Sequence, residues 1–249
     1  FLVTGPTGSG KSTTLYASLN EVDRSEKKII TVEDPIEYNL SGINQCQVNE
    51  RIGLTFPSIL RAVLRQDPNI IVIGEIRDVE TAEIAVTSAL TGHLVMSTLH
   101  TNDAPSAITR LVDMGIKPFL ISSSIQAILA QRLVRVICPK CKVPYKVEKD
   151  VLESLNVDSI DIENMEFCHG TGCDYCNKTG YRGRKPIFEF MSMNTELRDA
   201  IFNKMPTNEL RKIAHSNGMT TLAEDGLRLA RAHVTTLEEV MRITSLDSM

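Results

Sequence analysis

Tryptophan is missing from the 249 residues, and aromatic side chains make up only 5 % of them. Positive charge is not in surplus either, since 27 Lys and Arg stand against 31 Asp and Glu, a net charge of −4. A chain that grips phosphate backbones carries a basic face, often interleaved with aromatics. Both deficits therefore argue against nucleic acid as a partner. No run approaches the roughly 20 consecutive apolar residues of a membrane-spanning helix, and no charged, apolar, small-residue leader opens the chain. A cytoplasmic location is the expectation. Internal repeats and low-complexity tracts are also lacking.

What is present is 42 % hydrophobic and 23 % charged, enough for one sizeable core or a core with a small satellite. Disordered, collagen-like and coiled-coil readings are excluded. Six cysteines in a cytoplasmic chain point to metal ligands or free thiols rather than disulfides.

Phe1 to Thr4 reads as a buried strand running straight into a glycine-rich turn with no Met before it, which suggests a segment cut upstream of a core strand. Up to about residue 135, the strand candidates FLVT, KIITVE, NIIVIGEI and HLVMSTLH alternate with KSTTLYASLNEV, FPSILRAVLRQ and VETAEIAVTSALTG, whose apolar residues fall at helical spacing. That alternation predicts an α/β fold with a parallel sheet covered by helices. Gly92 and Gly115 read as helix stops, and Pro57 and Pro118 as helix starts. From Phe119 to Val136 a long amphipathic segment leads to CPKC. Residues 143–166 are charged and weakly periodic, with room for a short helix, and helices are expected from about 194 onward. The expected segments are a nucleotide-binding core over 1–135, a cysteine module over 136–186 and a helical region over 187–249.

The strongest motif is GPTGSGKS, Gly5 to Ser12, which matches G-x-x-x-x-G-K-[ST] between a strand and a helix. Its glycines let backbone N–H groups turn inward around an anion at a helix N-terminus. Gly5, Pro6, Thr7, Gly8, Ser9, Gly10, Lys11, Ser12 and Thr13 are thus the candidate nucleotide contacts, with Lys11 toward the β- and γ-phosphates and the Ser12 hydroxyl toward Mg2+. NIIVIGEIRD ends a strand in Gly74 and Glu75, as expected of a carboxylate delivered beside Mg2+ and water. TVEDPIE places Glu33, Asp34 and Glu37 after another strand, where α/β sheets bind ligands. Glu33 and Glu75 are the candidates for activating water or organising Mg2+, with the roles undivided. His93 and His100 flank a further strand; lone histidines are more often structural than catalytic, and His100, at the strand end, is the candidate to sense or contact the γ-phosphate. Arg61, Arg65 and Arg77 are phosphate or intersubunit candidates, although for any one of them a solvated or helix-pairing arginine is the commoner outcome.

CPKC and CDYC give two C-x-x-C hooks, Cys138 with Cys141 and Cys173 with Cys176, separated by 31 residues. Four thiolates make a closed structural Zn2+ site. Cys168 and His169 are alternative ligands of less natural spacing, redox dithiols are the competing reading, and Cys46 has no partner pattern.

GPTGSGKSTTLYA, ITVEDPIEY, LRQDPNIIVIGEIRD, TGHLVMSTLHTNDA, CPKC and GCDYCNKTGYRGR together resemble the secretion ATPases of the type II secretion and type IV pilus superfamily, nearly end to end. LISSSIQAILAQRLVR and TLEEVMRIT are more similar to the general secretion pathway protein E branch than to the pilus-extension branch. The resemblance implies a RecA-like P-loop NTPase core, ATP as substrate, a homohexameric ring, and work passed to an inner-membrane secretion platform and its cytoplasmic-facing anchor protein. The motor would then lie peripheral to the inner membrane through those partners. By position, Gly5 to Ser12 correspond to the Walker A motif, Glu33 to Glu37 to the Asp box with Glu33 as the catalytic glutamate, Gly74 and Glu75 to Walker B, and His93 to His100 to the His box. The four cysteines correspond to a tetracysteine zinc module that retraction-type pilus ATPases lack. Implied is ATP hydrolysis driving pseudopilus assembly and protein export. Pilus extension is the near alternative and a nucleic-acid translocase the distant one. Members carry N-terminal domains that complete the nucleotide pocket, so slow turnover is expected from this chain alone.

Overall fold

A computed structural model describes residues 1–146 and 166–244. The charged stretch in which a short helix was expected lies mostly outside the described residues. Two compact units result, one of residues 1–130 with 190–219, the other of residues 131–189 with 220–249.

The first unit begins with β1 (Leu2–Thr4), α1 (Lys11–Asn20), β2 (Ile29–Glu33), β3 (Asn44–Gln47), α2 (Phe56–Val63), β4 (Ile70–Ile73), α3 (Val79–Leu90), β5 (Leu94–Leu99), α4 (Ala104–Asp113) and α5 (Pro118–Ser124). β6 (Ala127–Ile137) then carries the chain into the second unit, which adds β7 (Lys142–Tyr145) and β8 (Phe167–Gly170). β9 (Tyr181–Ser192) returns it to α6 (Thr195–Phe202) and α7 (Thr207–Ser216), and α8 (Leu222–Arg231) and α9 (Leu237–Thr244) complete the second unit.

β2 and β4 are buried along their whole length, as apolar runs such as IITV and IIVI require of interior parallel strands. The sheet order is β3-β2-β4-β5-β1-β6-β9. β2 lies parallel to β4, β4 to β5 and β5 to β1, with Ile29 beside Ile70, Ile73 beside Ser97 and Val3 beside Thr98. Their C-terminal ends therefore lie side by side, and GPTGSGKS, Glu33 to Glu37, Glu75 and His100 lie at or just beyond those ends. Val3, Leu15, Leu19, Ile29, Ile70, Val72 and Met96 form one core cluster that seats α1 on the sheet. Burying each such side chain contributes about 1.5–3 kcal/mol.

Helix starts follow local chemistry. Thr55 and Ser58 form a reciprocal capping box on α2, Asp78 caps α3 by accepting from the Thr81 amide at 2.8 Å, and Asp103 caps α4 through the Ser106 amide at 2.7 Å. The amphipathic stretch from Phe119 splits at Ile125 into a two-turn helix and a long strand. Ser122 and Ser123 turn their hydroxyls back to the Phe119 carbonyl at 3.1 and 2.8 Å, which favours a short helix over a continuing one. β3, with the polar sequence NQCQ, has no hydrophobic alternation to betray it and sits at the sheet edge.

The C-terminal helices divide between the units. Within the first, Arg211 on α7 pairs with Asp103 at 2.5 Å and Thr207 meets Thr109 at 2.6 Å. Within the second, Phe167, Leu227, Ala230, Leu237 and Val240 form the core. No described helix is long and apolar enough to cross a membrane.

Candidate functional site

The loop after β1 is built by positive φ angles, 79° at Gly8 and 90° at Gly10, the latter capping α1. Glycine takes these without the Cβ penalty. Pro6, Thr7 and Gly8 are exposed while Lys11 is buried, its Nζ donating to the carbonyls of Gly5 at 2.8 Å and Pro6 at 3.0 Å. The loop thus folds over its own lysine. Ser12 and Thr13 face solvent at the first turn of α1. Behind the loop, Thr4 Oγ1 accepts from the Thr101 amide at 2.9 Å, which ties the end of β1 to the segment following β5.

Glu33 closes β2 and is buried. The Tyr16 hydroxyl donates to its Oε2, while Thr31 Oγ1 at 2.5 Å and Gln45 Nε2 at 3.1 Å donate to Oε1. Asp34 and Glu37, beyond it, are exposed. Gly74, just after β4, lies in close contact with β2, since a Cβ there would meet the Glu33 backbone at 3.3 Å. Glu75 follows, with Arg77 Nη2 at 2.5 Å from one oxygen and His100 Nε2 at 3.3 Å from the other. Burial works against the charge of Glu75, but Arg77 and then His100 hold its carboxyl below the usual range. One end of the sheet therefore gathers the phosphate loop, a buried carboxylate held by Tyr16, Thr31 and Gln45, and a second carboxylate held by Arg77 and His100.

Not every candidate joins this cluster. His93 hydrogen-bonds the Ser88 carbonyl at 3.0 Å at the other end of β5, roughly 20 Å of strand from His100. Arg61 pairs with Glu80 between α2 and α3, and Arg65 is exposed. Tyr16, Thr31 and Gln45 were not singled out from the sequence. Of the three, Thr31 carried a usable signal, since residues two apart on a strand share a face.

In the second unit the sulfurs of Cys138, Cys141, Cys173 and Cys176 all lie within 4.8 Å of one another. Cys138 to Cys173 spans 3.9 Å, and Cys141 to Cys176 and Cys173 to Cys176 each 3.8 Å. Disulfide sulfurs would sit about 2 Å apart, whereas ligands at about 2.3 Å around a tetrahedral Zn2+ lie about 3.8 Å apart. The donor set fits zinc. The amides of Cys173 and Gly180 donate to the Cys176 sulfur at 3.2 and 3.3 Å, as suits a thiolate. Cys168 and His169 lie outside the four-sulfur cluster, on β8, where His169 packs edge-on to Tyr145.

The family described as Type II/IV secretion system protein matches residues 1–242. The chain belongs to this family. It is 54 % identical over 244 residues to the type II secretion system ATPase E of Vibrio cholerae, a match covering 98 % of this chain and 48 % of that protein. With the type IV pilus assembly ATPase PilB of Thermus thermophilus it shares 51 % identity over 244 residues, 98 % of this chain and 27 % of that one. The crystal structure of the pilus retraction motor PilT with bound ADP aligns at a TM-score of 0.72 and 32 % identity, covering 100 % of this chain and 63 % of the other. The family member described here thus has a RecA-like α/β core carrying a four-cysteine cluster, and it spans about half the length of its type II secretion relatives.

Proposed function

We infer that this chain binds and hydrolyses ATP as the motor part of a type II secretion ATPase, driving pseudopilus assembly and protein export. The observation that carries the reading is the placement of Lys11, Glu33, Glu75 and His100 at one end of adjacent parallel strands, around a glycine loop that opens a helix. In this reading the amides of residues 5–13 and Lys11 hold the phosphates, and Ser12 supplies a hard oxygen donor of the kind Mg2+ takes. Bound Mg2+ would neutralise charge on the transferring phosphoryl group. Glu33, held by the uncharged donors Tyr16, Thr31 and Gln45, orients a water and accepts its proton as the water oxygen bonds to the γ-phosphorus. The bond to the bridging oxygen breaks, and ADP leaves. Glu75, engaged by Arg77 and His100, serves as the carboxylate that responds to the γ-phosphate side.

The homohexamer, the inner-membrane platform with its anchor protein, a cytoplasmic position beside that membrane and Zn2+ in the cysteine cluster complete the proposal. A second reading, a pilus-extension motor, is supported by the 51 % identity to the Thermus pilus ATPase, close to the 54 % for the secretion ATPase. The copurifying platform protein separates the two. A nucleic-acid translocase is disfavoured by the net charge of −4. Stimulation of turnover by DNA would revive it.

The experiment is Mg2+-dependent turnover across a protein concentration series, for the chain alone and fused to a hexamer-forming tag, with Lys11→Ala as blank. Rates that rise with assembly and vanish in the variant are expected. A wild-type rate in Lys11→Ala would sink the reading.

A further inference from the structure

We propose that Tyr16 and Thr31 are positioning residues for Glu33, their hydroxyls fixing its carboxylate from opposite oxygens and Tyr16 tying it to the helix that begins at Lys11. This rests on the reading of Glu33 as the group that activates water.

A buried carboxylate is costly unless hydrogen bonds replace its water. Here the replacements are Tyr16 on Oε2, and Thr31 and Gln45 on Oε1. All three donors are uncharged. A Lys or Arg in their place would aim the carboxylate but also neutralise it, which is the arrangement found at Glu75. Neutral donors orient the group without pairing its charge with a cation.

Packing alone does not require a tyrosine. Tyr16 is buried on the face of α1 that also holds Leu15 and Leu19, with Tyr38 edge-on to its ring at 4.8 Å. A phenylalanine would fill that space equally well, so the hydroxyl is the specific part. Burial first, and Glu33 after it, push the Tyr16 phenol well above its usual range, which keeps it a donor at neutral pH.

Tyr16 lies five residues beyond Lys11, about 7.5 Å along the helix. One rigid element thus has the phosphate cradle at its first turn and Glu33 in the grip of its second. Any shift of α1 on nucleotide binding reaches the carboxylate through a single ring. Thr31 secures the opposite oxygen from β2 itself, two residues back on the same face.

The test uses the full-length protein in its assembled form, comparing Tyr16→Phe, Thr31→Val, Glu33→Gln and each hydroxyl variant paired with Glu33→Gln, with Lys11→Ala as blank. Tyr16→Phe and Thr31→Val are expected to lower kcat roughly 10- to 100-fold, the scale of a hydrogen bond to a charged group. KM and the Kd of a fluorescent ATP analogue should stay within about threefold, because the loss falls on the reaction and not on uniform binding. In the Glu33→Gln background neither substitution should cost anything further. A wild-type kcat in Tyr16→Phe, or a loss that multiplies with that of Glu33→Gln, would overturn the proposal and leave the hydroxyl a packing group. If Tyr16→Phe does not fold, Thr31→Val and its pair decide on the same criteria. Wild-type turnover in Lys11→Ala or Glu33→Gln would instead remove the underlying ATPase reading. Loss in those two with no change in Tyr16→Phe removes this proposal alone.

Discussion

His100 Nε2 stands 3.3 Å from Glu75 Oε2 while Arg77 holds the other oxygen of the same carboxylate. Three consecutive strand ends take part, since Thr4 at the end of β1 anchors Thr101, the neighbour of His100. His100 is thus held where a change beside the phosphate loop alters its distance from Glu75. His100→Ala is expected to lower turnover about tenfold with nucleotide affinity nearly unchanged. Equal losses in affinity and rate would show His100 to be a simple phosphate contact.

The four-sulfur cluster predicts one zinc per chain by elemental analysis and a four-sulfur coordination shell by X-ray absorption. Chelation should expose residues 138–146 and 166–185 to protease while α1 and the strand ends stay protected, because structural zinc stabilises the fold around it. Unchanged protease resistance of those residues after metal removal would contradict the role.

Close backbone approach limits the same module. A Cβ on Gly170 would sit 2.1 Å from the Gly180 carbonyl oxygen, and one on Gly180 would sit 2.4 Å from that of Gly170. Gly170→Ala should therefore destabilise the second unit by about 2–4 kcal/mol and weaken metal retention. Gly183→Ala, where nothing lies within 4 Å but φ is +84°, should cost only about 1 kcal/mol. Comparable losses in thermal unfolding of the two variants would refute the steric argument.

Glu239 on α9 is buried and receives the Arg135 amide at 3.1 Å, the Arg135 guanidinium at 2.7 Å and two donors of Arg242 at 2.8 Å. Burial opposes the charge, but these donors bring the carboxyl from 4.5 down to about 2. The folded value lies below the unfolded one, so the unfolded chain binds more protons in between. The stabilisation is present above about pH 4.5 and fades as pH falls toward 2. Both guanidiniums are about half exposed, which limits the contribution to about 1–2 kcal/mol. Glu239→Gln should flatten the fall in melting temperature of the second unit below about pH 4.5. An unaltered slope would mean another carboxylate governs the acid response.

The sequence by itself determined the chemistry that depends on residue type at fixed local spacing. Glycines that accept positive φ, a lysine and serine opening a helix, apolar runs for buried strands and paired C-x-x-C hooks are all short-range features, and GPTGSGKS, NIIVIGEIRD and CPKC displayed them directly. Only the tertiary structure decided which of those residues meet. Strand order brings Glu33, Glu75 and His100 to one end of the sheet and leaves His93 at the far end of β5. A helix and a neighbouring strand deliver Tyr16 and Gln45 to Glu33 from 17 and 12 residues away. The split of the segment after Phe119, the polar edge strand β3 and the division of the C-terminal helices between two units escaped the sequence for the same reason. Each is set by what a segment packs against, and hydrophobic period does not record the partner.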